Sequence, residues 1–69
     1  MPEHCAHLID GLIRRRHELA LTQKQVAEAT GLTQSVIARL ESKKAVPQLN
    51  TLLKVAEALG CSLSITPTV

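Results

Sequence analysis

The residues of this 69-residue chain that could do chemistry fall into two groups. The first is His4, Cys5 and His7 near the start, where His4 and His7 have the i, i+3 spacing of one helix face. Zinc needs four ligands in a closed set. Only His17 and Cys61 remain as further donors, and nothing in the sequence brings them near, so no metal site is expected. No general base stands at a recognisable spacing from a nucleophile, and a chain this short has little room for a closed pocket. The expectation is therefore a non-enzyme without a cofactor. The second group is Gln34, Ser35 and Arg39. An amide, a hydroxyl and a guanidinium present donors and acceptors in the patterns that base edges offer. Gln suits adenine, Arg suits guanine and Ser suits several edges. On an isolated helix the same three side chains would be an ordinary solvated face, so their meaning depends on what positions them.

The positioning elements read as short helices with tight connections. From Glu3 to Ala20, Leu8, Ile9, Leu12, Ile13 and Leu19 recur at helical spacing, with Asp10, Arg14, Arg15, His17 and Glu18 between them. Gly11 lies inside this helix at a penalty of roughly 1 kcal/mol relative to Ala, which a close helix–helix approach would explain. Thr22 with Gln25 forms a capping box that starts a helix from Gln23 to about Ala29, with Val26 and Ala27 inward. Gly31 suits positive φ at its end, and Thr33 is the N-cap of the next helix, Gln34 to about Ser42. Val36, Ile37 and Leu40 are expected to face inward there, leaving Gln34, Ser35, Ala38 and Arg39 outside. After the polar loop 42–47, a further helix runs from about Leu49 to Leu59, with Leu49, Leu52, Leu53, Ala56 and Leu59 as its apolar positions and Gly60 closing it. Cys61, Leu63 and Ile65 then alternate with Ser62, Ser64 and Thr66, the period of a strand.

Composition narrows the function. The chain has no Phe, Trp or Tyr, which argues against single-strand recognition by base stacking. No apolar run spans a bilayer, and Met1-Pro2-Glu3-His4 lacks the features of a secretory signal, so a cytoplasmic setting with free Cys5 and Cys61 thiols is expected. The net charge of +2 permits a polyanionic partner without demanding one. Two short helices joined at Thr30–Leu32 by a turn containing Gly form a helix-turn-helix. Ala27 lets the helices cross closely, and the outer face of the second is then able to enter a major groove.

Residues 12 to 60 resemble the Cro/C1-type (XRE) helix-turn-helix family. The resemblance lies in Leu21-Thr22-Gln23, Val26-Ala27, the run Gly31 to Ser42, Pro47-Gln48-Leu49 and Thr51 to Gly60. Lys43 departs from it, standing where the family often has Gly at the end of the recognition helix, which implies a distorted cap or a lysine held at positive φ. The resemblance implies an all-α, four- to five-helix lambda-repressor-like domain over residues 1–60, with its motif at 22–42 and its recognition helix at 33–41. It implies base contacts from Gln34, Ser35 and Arg39, and DNA backbone contacts from Thr22, Gln23, Thr33, Ser42, Lys43 and Lys44. It also implies a salt bridge between Arg16 and Glu41 that ties the first helix to the recognition helix. Arg14, Arg15 and Lys54 are expected to be solvated.

The tail, 61–69, is similar to that of small antitoxins of the HipB kind, which end in a strand paired with its twin. A lone strand leaves its backbone groups without partners, so pairing across a homodimer is expected, with Leu59, Leu63 and Ile65 at the interface. The functional expectation is a repressor that binds a palindromic double-stranded operator as a homodimer, with half-site centres roughly 10 bp apart. The alternative is an antitoxin that neutralises a toxin protein and represses its own operon.

Overall fold

The computed structural model describes residues 3–64 and Pro67. Among them are four helices: α1 (Glu3–Glu18), α2 (Gln23–Thr30), α3 (Gln34–Ser42) and α4 (Leu49–Ala58). No strand occurs among the described residues; 61–64 carry no ladder, and Ile65 and Thr66 lie outside what is described. Among the described residues, Cys61–Ser64 have no second strand to pair with, and backbone pairing is what makes a strand.

Local signals set the helix ends. At α2 the Thr22 hydroxyl accepts from the Gln25 amide at 3.0 Å, and the Gln25 side chain accepts from the Thr22 amide at 2.8 Å. At α3 the Thr33 hydroxyl accepts from the Val36 amide at 3.2 Å. Gly31 ends α2 at φ +73°, with its N–H donated to the Ala27 carbonyl. α1 ends two residues before the expected Ala20, because Ala20 itself turns left-handed at φ +57° and donates to the His17 carbonyl at 3.0 Å. Lys43 stands at φ +60° as the C-cap of α3. Glycine would hold that conformation freely, whereas a residue with a Cβ gives up about 1–2 kcal/mol.

The core is Ile9 and Leu12 of α1, Val26 and Ala27 of α2, Ile37 and Leu40 of α3, and Leu52, Val55, Ala56 and Leu59 at α4 and its end. α2 packs against both α3 and α4, and α1 packs against α3. Two expectations about this core change, at Val36 and Gly11, and α4 gains a defined inward face. Val36 is 36% exposed at the edge of α3, outside the buried Ile37–Leu40 stripe. On α4 the inward stripe is Leu52, Val55, Ala56 and Leu59, at i, i+3, i+4 and i+7, so Leu49 and Leu53 face outward at 66% and 45% exposure. Gly11 is exposed, and a Cβ there would meet nothing within 4 Å, so close helix packing is not what places a glycine in α1. No helix of the described residues is long and apolar enough to cross a membrane.

Candidate nucleic-acid interface

Helix α3 is fixed from behind and open in front. Its inner face is held by Ile37 and Leu40, which are 0% and 4% exposed. The remaining arc carries Gln34, Ser35, Ala38 and Arg39, all exposed. None of these side chains is drawn into the ion pairs and side-chain hydrogen bonds that tie the helices together. The small Ala38 between them leaves the arc accessible to a flat ligand edge.

The last turn of α3 is anchored by charge. Arg16 of α1 grips Glu41 with both arms of its guanidinium, Nε to Oε2 at 2.7 Å and Nη2 to Oε1 at 2.9 Å. Its Nη1 donates to the Leu21 carbonyl at 2.8 Å, and both charged side chains are 13% exposed. The Gln23 amide donates to Glu41 Oε1 at 3.1 Å and completes the group. A planar guanidinium on a carboxylate fixes orientation as well as distance, so α1, α2 and α3 meet in one defined geometry.

The side chains expected at a DNA backbone sit around this arc in different states. Thr22 and Thr33 are exposed and accept capping hydrogen bonds, which leaves each hydroxyl proton able to donate outward. Gln23 has its side chain on Glu41, so what it offers an anion is its main-chain N–H in the first turn of α2, where amides have no helical partner. Ser42 turns its hydroxyl back to the Arg39 carbonyl at 2.6 Å. Lys44 is exposed. Lys43 is engaged with α1, its Nζ 2.6 Å from Asp10 Oδ1.

Other expected positions come out as follows. Leu59 is 2% exposed in the chain's own core, and Leu63 is half-buried against that core; Ile65 lies outside the described residues. Among the exposed large apolar side chains, Leu8, Leu49 and Leu53 line a shallow groove of ≈ 630 Å³ together with Leu63. Arg15, expected in solvent, is half-buried and donates from Nε to the Leu59 carbonyl at 3.0 Å, capping the end of α4 from α1. This residue and Asp10 were not legible beforehand, because their partners lie 44 and 33 residues away. Among the described residues no group of three His, Cys, Asp or Glu could hold a metal ion.

A family model described as helix-turn-helix matches residues 12–65. An uncharacterized HTH-type transcriptional regulator of Haemophilus influenzae is 47% identical over 60 residues, covering 87% of this chain and 61% of that protein. The HTH-type transcriptional regulator PuuR of Escherichia coli is 41% identical over 49 residues, 71% of this chain and 26% of its own length. Antitoxin HigA1 of Mycobacterium tuberculosis is 33% identical over 63 residues, 91% of this chain and 42% of its own length. The chain thus spans less than two thirds of each of these relatives. Among solved structures, a toxin–antitoxin module from Streptococcus pneumoniae matches with a TM-score of 0.81 and 39% identity, covering 97% of this chain and 74% of that one. With two capped helices crossing at Gly31, an anchored second helix with an open polar face, and a family match over most of its length, the chain belongs to the XRE-type helix-turn-helix DNA-binding family.

Proposed function

We propose that this protein is a sequence-specific transcriptional regulator of double-stranded DNA, acting as a repressor by occupying a palindromic operator as a homodimer. The observation that carries the reading is the outward Gln34–Ser35–Arg39 face on a helix whose last turn is locked by Arg16 and Glu41. Such a helix enters a major groove with its backbone already set, and only the side chains are left to order on binding. The two-fold partner is a second copy of this chain, docked on the Leu8, Leu49, Leu53 and Leu63 surface, with the tail after Gly60 contributing. Such an isologous contact matches an inverted repeat in the DNA.

The test is selection of bound duplexes from a random pool, which reports binding, motif and half-site spacing together. An inverted repeat with half-sites roughly 10 bp apart is expected. Arg39→Ala should then relax preference at one base position of that motif, with a loss of roughly 1–3 kcal/mol. Enrichment of no motif at moderate salt would overturn the reading.

A second reading adds a protein partner. Antitoxin HigA1 and the Streptococcus pneumoniae toxin–antitoxin module favour an antitoxin that also regulates its own operon. It predicts that the product of a neighbouring gene co-purifies with this chain and that its toxicity is relieved by co-expression. A neighbour that neither binds nor harms the cell would count against it.

A further inference from the structure

Two charge pairs join the end of α3 to α1, and they differ in kind. Arg16–Glu41 is enclosed, bidentate and supported by Gln23. Asp10–Lys43 is a single contact of 2.6 Å between side chains 44% and 37% exposed. Lys43 is also a costly occupant of its site, since φ +60° suits glycine. What a lysine adds there is an ammonium at the C-terminal end of the reading helix, beside the surface proposed to meet the duplex.

We infer that Asp10 is an internal rival of DNA phosphate for the Lys43 ammonium: the carboxylate holds the cation in the free domain, and a phosphate oxygen takes it in the complex. The inference rests on the DNA-binding reading above. A carboxylate oxygen and a phosphate oxygen are equivalent acceptors for an ammonium, and each makes a charge-assisted hydrogen bond. An open pair exchanges partners at small cost, because water screens both states. Asp10 therefore restrains the sequence-independent part of the affinity, which comes from cations on phosphates. Base reading through Gln34, Ser35 and Arg39 is untouched.

The experiment is a salt titration of binding to a random-sequence duplex by four proteins: the parent chain, Asp10→Asn, Lys43→Gln and the double variant. Lys43→Gln removes the charge and keeps the backbone demand unchanged, and circular dichroism checks that each variant is folded. Asp10→Asn is expected to tighten binding roughly two- to five-fold. Lys43→Gln should weaken binding and reduce the slope of log K against log salt by about 0.9. Adding Asp10→Asn to Lys43→Gln should change nothing further. If Asp10→Asn leaves binding unchanged or weakens it, the pair is a clamp and the inference fails. If it tightens binding equally with and without Lys43, the effect is only that of a removed negative charge, and the inference again fails. A parent chain that binds no duplex at low salt would instead overturn the DNA-binding reading itself.

Discussion

Replacing Arg16 by alanine removes the central donor of the group that orients α3. Glu41 keeps only the Gln23 amide at 3.1 Å, and the Leu21 carbonyl loses its 2.8 Å partner. One hydrogen bond to a charged group contributes about 1.5–3 kcal/mol, a lower bound because Arg16 makes two such bonds to Glu41. Stranding one member of a fully buried pair loses about 3–5 kcal/mol, an upper bound because water reaches the rim of this pair and Gln23 remains. With both side chains 13% exposed, the expected loss is about 2–4 kcal/mol. For a domain of this size that lowers the melting midpoint by about 10–30 °C. The chain has no Phe, Trp or Tyr, so far-UV circular dichroism in urea is the suitable probe, at one fixed protein concentration because association would add to stability. A second variant isolates the cause. Arg16→Met with Glu41→Leu removes both charges together and should recover most of the loss, since no charge is left stranded. A loss under about 0.5 kcal/mol for Arg16→Ala, the range of a surface substitution, would refute the reasoning. So would a double variant as unstable as the single one.

Two further predictions concern surfaces. Gly11→Ala should raise stability by about 0.5–1 kcal/mol in urea unfolding, because the position is helical, exposed and clear of neighbours within 4 Å; a destabilised variant would show that another surface covers Gly11 in solution. Leu49→Lys together with Leu53→Lys should give a folded monomer in sedimentation equilibrium, because these side chains are 66% and 45% exposed and contribute little to the chain's own core; an unchanged dimer would remove this face from the interface.

What could be read from the sequence was what is local in the chain. Thr22, Gln25, Gly31 and Thr33 act within a few residues of themselves, so the ends of α2 and the start of α3 followed from residue types. The outward position of Gln34, Ser35 and Arg39 followed because Ile37 and Leu40 fix the opposite side of one short helix. On α4 the same logic selects no single edge. Leu49, Leu52, Leu53, Val55, Ala56 and Leu59 wrap more than one face, and periodicity cannot say which side of a broad apolar arc meets the core. Arg16–Glu41 came through family resemblance, because its partners lie 25 residues apart. Arg15–Leu59 and Asp10–Lys43 had no such guide, and no local pattern marks a bond between distant turns. Val36 was placed inward on hydrophobicity alone, yet an exposed valine is normal on a small domain with limited core volume.

The Arg15 bond to the Leu59 carbonyl has a bearing on how such a domain is inherited. It joins the first helix to the end of the last, so both helices of the motif lie inside a closed circuit between residues 15 and 59. A unit closed in this way is portable: it can be carried in chains of very different length, as relatives of which it makes up 61%, 42% or 26% illustrate. The flanking sequence is then free to diversify toward partners and signals while the reading unit keeps its geometry.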